Sequence, residues 1–235
     1  MCTLEKLGNL FILIITGEDQ HRLNPARIDA IRSALDRVRA DPGSHSSSAL
    51  ITTAQGKFFS NGFDLDWAHS SPDRFGLMSS KLRALIIELL CFPMPTIAAV
   101  TGHASAAGFL LALAYDYVLM RKDRGFLYMS ETDIGLKIPS SAMALIKSKI
   151  GDPMTRRDVI LKAAKITGQE AVERKIVHGG YDSAEETLKG AISLGEELAK
   201  RGWDGQVYSQ NRMSLFKDVL DEYDGKNTNK VLSKI

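Results

Sequence analysis

The sequence predicts an α/β fold with a mostly parallel sheet. Three observations carry this: aliphatic runs without polar alternation, amphipathic helical stretches between them, and glycine-containing loops where the runs end. A strand with one wet face alternates polar and apolar residues, whereas an unbroken aliphatic strand is buried on both faces, as in parallel sheets covered by helices. Strands separated by helices are the pattern of crossover units.

The first run, Leu10–Ile15, ends at Thr16-Gly17. Pro25 then stands where a first helical position accepts proline. Ile28, Ile31, Leu35 and Val38 follow at three- and four-residue steps until Asp41-Pro42-Gly43 stops the helix. A second strand spans residues 49–53 and runs into Gln55-Gly56-Lys57. Residues 77–90 read as a helix, and a third strand, Thr96–Val100, runs into Thr101-Gly102-His103. Residues 105–114, rich in Ala and Leu, read as a buried helix, followed by short strands at 117–120 and 126–129. From Thr155 onward the pattern is nearly all helical. Thr167-Gly168-Gln169-Glu170 has the form of a capping box, and residues 184–200 form a helix with a charged face. The expectation is one domain: a core over residues 1–154 and a C-terminal helical region over 155–235. In a parallel sheet the loops at strand carboxyl ends build the site, so the loops after the second and third strands are the first candidates.

Composition narrows the function. With 235 residues, 25% of them charged, and a net charge of +2, the chain lacks the basic excess of a nucleic-acid binder. Cys2 and Cys91 match no metal or redox spacing, and the N-terminus lacks a secretory layout. The apolar stretch over residues 97–120 is broken by Gly102, His103, Gly108 and Asp116, so no membrane span is expected. His21, His45, His69, His103 and His178 show no metal-ligand pairing, and no Gly-X-Ser-X-Gly elbow occurs. No metal and no cofactor are expected.

Three segments carry the chemistry: Phe58-Phe59-Ser60-Asn61-Gly62-Phe63-Asp64-Leu65, Pro95-Thr96-Ile97-Ala98-Ala99-Val100-Thr101-Gly102-His103-Ala104, and Ser130-Glu131-Thr132-Asp133-Ile134-Gly135. In order and spacing they resemble the crotonase (enoyl-CoA hydratase/isomerase) superfamily, over residues 10–177. The third segment, with Gly135 and Pro139 after Glu131, looks most like monofunctional Δ3,Δ2-enoyl-CoA isomerases, in particular the plant peroxisomal group. The resemblance implies a spiral core of ββα units with a C-terminal helical region, a homotrimer or hexamer, and an acyl-CoA thioester substrate whose coenzyme A is no separate cofactor.

Moving a double bond in a thioester means removing a proton beside the carbonyl, so negative charge builds on the thioester oxygen. A pair of backbone N–H groups is the usual answer, each worth ~10²–10³ in rate. The family pattern places these donors at Phe63 and Ala107 and the base at Glu131. A carboxylate in that mostly apolar or small segment should be partly desolvated, with its pKa raised. Lys57, Ser60, Asn61, Gly62, Asp64, Leu65 and Leu110 are the expected substrate-binding residues. Asp64 is also read as fixing its own loop, and Lys57 as a contact for coenzyme A phosphate or simply a solvated lysine. Hydratases of the superfamily carry two glutamates, and Leu110 occupies the position of the first. Dienoyl-CoA isomerases carry a second acid where this chain has Pro139. Ala106-Ala107-Gly108 stands where many members have three glycines. A backbone donor survives an alanine substitution there provided its own φ is negative, so the change is tolerable. Phe63 replaces a usually small residue and should narrow the acyl channel. The alternatives are a hydratase of the same fold and a non-catalytic acyl-CoA-binding member. Ser233-Lys234-Ile235 resembles a peroxisomal address, implying an import receptor as partner and the peroxisome as location.

Overall fold

A computed structural model describes residues 1–18, 20–44 and 47–224. His45 and the Ser233-Lys234-Ile235 tripeptide lie outside the described residues. The main sheet has the order β1 (Cys2–Leu7), β2 (Leu10–Ile15), β3 (Ala49–Ala54), β5 (Thr96–Val100), β7 (Tyr117–Arg121), β10 (Gly179–Tyr181). β1 is antiparallel to β2, and every later neighbour is parallel. A second sheet has the order β4 (Phe58–Ser60), β6 (His103–Ser105), β8 (Phe126–Tyr128), β9 (Ile166–Thr167).

The chain therefore repeats one unit: a strand in the main sheet, a short strand in the second, then a helix. β3 and β4 lead to α2 (Leu65–His69) and α3 (Pro72–Leu90), and β5 and β6 lead to α4 (Ala107–Leu113). β7 and β8 lead through the Glu131 loop to α5 (Ser140–Lys149). This is the expected ββα spiral. Each return to the second sheet brings the loop after a short strand beside the loop of the previous unit.

Both faces of the main sheet are covered, which is why its strands are unbroken aliphatic runs. On one face Phe11, Leu13, Ile15, Leu50 and Val100 pack with α1 (Pro25–Ala40) and α3. On the other, Leu10, Ile51, Ile97 and Leu119 meet α8 (Ala184–Ala199). A Cβ on Gly195 of that helix would stand 3.0 Å from Leu10 Cδ2 and 3.3 Å from Ile51 Cδ1, so the missing side chain lets α8 lie against the strands.

Several elements differ from the sequence reading. β1 was not expected, because it is no aliphatic run and none of its residues is buried: Cys2 and Leu4 are half-buried and the others exposed. α3 begins at Pro72, five residues before the expected start, with Ser71 as its cap residue and Pro72 in the first turn. α4 begins at Ala107, because Ser105 belongs to β6. The region after residue 154 is not purely helical: β9 pairs with β8, and β10 joins the main sheet beside β7. Strands of two and three residues are too short to show a period. The remaining helices are α6 (Pro153–Leu161), α7 (Gly168–Glu173), α9 (Gly205–Leu215) and α10 (Lys217–Tyr223), and Thr167 and Glu170 form the expected capping box on α7.

Candidate active site

The loop after β4 is pinned from behind. Ser60 Oγ donates to the His21 carbonyl at 2.9 Å and accepts the Gly62 N–H at 3.3 Å. The Leu23 N–H donates to the Gly62 carbonyl at 2.7 Å, and the Asp64 N–H to the Leu23 carbonyl at 3.2 Å. Leu23 thus bridges the residues on either side of Phe63 and leaves the Phe63 N–H outside that ladder. Gly62 has φ of +76°, and its missing Cβ would lie 3.4 Å from the Ala107 nitrogen. Two distant loops are in contact here.

What holds them together is specific. Ser105 Oγ donates to Asn61 Oδ1 at 2.9 Å, joining the loops side chain to side chain. Gly108 packs on the Ser60 backbone, so that a Cβ there would be 2.3 Å from the Ser60 oxygen. Ala107 opens α4, and its N–H, like that of Phe63, has no acceptor among the described residues. A cleft of about 240 Å³ is lined by Phe63, Ala106, Ala107, Leu110 and Glu131. α3 supplies Phe75, Leu82 and Ile86 to its wall, and α10 supplies Tyr223.

Glu131 stands in a turn after β8. The Leu136 N–H donates to its carbonyl at 2.8 Å, Gly135 turns the chain at φ of +69°, and Thr132 Oγ1 donates to the Ile160 carbonyl at 2.7 Å. The carboxylate Oε2 is buried and has no hydrogen-bond partner. Burial raises its pKa above the ordinary glutamate value, partly opposed by its own backbone N–H. A half-buried carboxyl that lines a cleft with one oxygen unpartnered has the lone pair and the raised basicity that a general base needs.

Of the expected substrate-binding residues, Asn61, Leu65 and Leu110 line the cleft. Ser60, Gly62, Asp64 and Lys57 do not, and each has a structural reason. Ser60 is buried in the bonds just described. Gly62 supplies the left-handed turn. Asp64 caps α2, accepting the Trp67 N–H at 3.2 Å and the Asn24 amide at 3.2 Å. Lys57 is exposed beside the Phe58 ring, and its carbonyl accepts the His103 N–H at 3.0 Å. His103 is not a lining residue either: its ring packs between Phe58 and Phe126 at 5.0 and 5.3 Å. Asp116 accepts the Thr96 N–H at 2.9 Å and pairs with buried Arg212 at 3.1 Å.

The expected donor Ala107 opens α4 and is not among the residues of positive φ, but its neighbour does not share that geometry. Ala106 has φ of +49°, so an alanine occupies a conformation that favours glycine. Among the lining residues missed from sequence are Phe75, whose ring meets Phe63 edge-on at 5.7 Å, and Tyr223. Ser71-Pro72, a cap and a first-turn proline, was the available signal for Phe75. Nothing local marks Tyr223.

The sequence profile of the enoyl-CoA hydratase/isomerase family matches residues 14–220. The chain belongs to that family. Among members of this enoyl-CoA hydratase/isomerase family, it is 57% identical over 220 residues to enoyl-CoA delta isomerase 1, peroxisomal, of Arabidopsis thaliana, covering 94% of this chain and 91% of that protein. It is 48% identical over 226 residues to enoyl-CoA delta isomerase 2, peroxisomal, of the same plant, covering 93% of each chain. By fold it resembles a probable enoyl-CoA hydratase from Mycobacterium tuberculosis at a TM-score of 0.86 and 22% identity, over 99% of this chain and 97% of that one. An enoyl-CoA hydratase/isomerase family protein from Pseudomonas syringae gives a TM-score of 0.87 at 21% identity, over 95% and 94%.

Proposed function

We propose that this protein is a Δ3,Δ2-enoyl-CoA isomerase of the peroxisome, which converts 3-enoyl-CoA to trans-2-enoyl-CoA in the oxidation of unsaturated fatty acids. One observation carries the reading: the carboxyl of Glu131, its Oε2 buried without a partner, shares a cleft with two backbone N–H groups that have no acceptor among the described residues, while Leu110 fills the place of a second acid. The two Arabidopsis relatives that bear isomerase and peroxisomal names support the reaction and the location.

In the proposed mechanism the thioester oxygen accepts the N–H groups of Phe63 and Ala107. Glu131 removes a proton from C2, and the electron pair moves through the carbonyl as a dienolate stabilised by those donors. The protonated Glu131 then returns its proton at C4, and the double bond settles between C2 and C3. One carboxyl suffices, provided the acyl chain bends so that C2 and C4 both lie within its reach. The apolar walls from Phe63, Phe75, Leu82 and Ile86 keep water from the dienolate. Coenzyme A is part of the substrate, and no cofactor enters the scheme. Homotrimers or hexamers belong to the same proposal, supported by exposed Met154, Leu161, Val207 and Leu215 on the helices after β8.

Purified protein given 3-hexenoyl-CoA is expected to form the conjugated 2-enoyl thioester, followed by its ultraviolet absorbance. Tight acyl-CoA binding without turnover of any 2- or 3-enoyl thioester would instead point to a non-catalytic member of the family.

Leu110→Glu tests what selects the reaction. Leu110 is 7% exposed and lines the cleft one helical turn from Ala107, so a glutamate there adds a second acid on the same face. The expected result is measurable hydration of 2-enoyl-CoA. Burying the new carboxyl costs on the order of a few kcal/mol unless it protonates or finds water, so a melting curve accompanies the assay. A folded variant that keeps isomerase activity and adds no water would assign reaction choice to pocket shape.

A further inference from the structure

The backbone at Ala106 has φ of +49° and ψ of −121°. A side chain is strained in that region, and glycine is not. The turn from β6 into α4 demands it. The Ala106 N–H donates to the Tyr128 carbonyl at 2.9 Å, and its own carbonyl accepts the Phe109 and Leu110 N–H groups at 3.0 Å each. With both flanks fixed, the peptide after Ala106 is what aims the Ala107 N–H into the cleft. Glycine would make the same turn without strain, so whatever alanine contributes comes from one methyl group.

That methyl lies at the reacting end of the site. Ala106 lines the cleft, and its Cβ would be 3.2 Å from a Cβ built on Gly62, so it stands between the two donor loops. Covalent geometry keeps a Cβ within ~3 Å of the following nitrogen, here the donor of Ala107. An oxygen held by that donor is ~2.9 Å away from it. The atoms bonded to the thioester carbonyl carbon are therefore within contact range of the Ala106 methyl.

We infer that the Ala106 methyl is a specificity element that disfavours a substituent on C2 of the acyl chain. The inference rests on the proposed isomerase reading and deepens it. It also accounts for a strained alanine at this position: the methyl restricts the space beside C2, where Glu131 must reach the proton.

Ala106→Gly tests this directly. The kcat/KM ratio for unbranched over 2-methyl-branched 3-enoyl-CoA is expected to fall about 10-fold, the scale set by one methyl in an apolar pocket. Using a ratio cancels any general loosening of the loop. Melting temperature is expected to rise by about 2–4 °C as strain is relieved. A higher melting temperature with an unchanged ratio would overturn the inference, leaving the methyl as packing against Gly62. A lower melting temperature would overturn it too, by removing the strain on which it stands. Calorimetric titration of both proteins with saturated unbranched and 2-methyl acyl-CoA reads the same contact without turnover. Loss of the isomerase reading, shown by an inactive wild type, is thereby distinguished from loss of this one.

Discussion

Glu131→Gln is expected to lower the isomerase kcat by at least ~10²-fold while acyl-CoA still binds, because the amide keeps the shape of the side chain and cannot take a proton. The same group sets the pH profile. As the proposed base, Glu131 must be ionised, and burial raises its pKa, so kcat/KM should fall with decreasing pH at a higher value than an ordinary glutamate would give. Stability moves the opposite way. A carboxyl whose folded pKa is raised favours the protonated fold, so its contribution is complete below the unfolded value of about 4.3 and is lost as pH rises through the folded value. At neutral pH the ionised group therefore burdens the fold, and the glutamine variant should melt no lower than wild type. Melting curves at acid and neutral pH, taken beside the kinetics, separate a lost base from a lost fold. A variant that retains wild-type turnover would remove Glu131 from the role.

Gly108→Ala is expected to cost ~10²–10³ in kcat, the scale of losing an oxyanion donor. The added Cβ would meet the Ser60 carbonyl oxygen at 2.3 Å and its carbon at 2.8 Å. Both are backbone atoms and cannot swing aside, so the loop carrying Phe63 must separate from the start of α4. The N–H groups of Phe63 and Ala107, the proposed oxyanion donors, would then no longer reach one oxygen together. Overpacking of this kind also destabilises by about 1–3 kcal/mol. Gly151→Ala is the matched control, since a Cβ there meets nothing within 4 Å, and activity should stay at the wild-type level. Full kcat in the Gly108 variant would mean that the spacing of the two loops does not govern the reaction.

The local code for the main sheet and its helices was legible in the residues. β2 and β5 have the bounds read from their aliphatic runs, and β3 extends one residue further, because burial on both faces leaves no room for polar alternation. α1 begins at Pro25, and the box at Thr167 and Glu170 caps α7, because such signals act within a few residues and need no tertiary partner. The three chemical segments were likewise visible, in register with a family.

Tertiary structure alone decided the rest. β10 is a strand only because β7 offers it an edge, and its Gly-Gly-Tyr sequence carries no period of its own. The positive φ of Ala106 follows from bonds to Tyr128 and to α4 that no local pattern announces. The burial that raises the Glu131 pKa, and the entry of Tyr223 into the same cleft, depend on elements far apart in the chain. The sequence by itself determined which residues could supply a base, two donors and an apolar wall, since those are properties of residue type and short spacing. Their convergence required the second sheet to stack β4, β6 and β8 side by side, because a cleft is made of long-range contacts that short-range propensities do not encode.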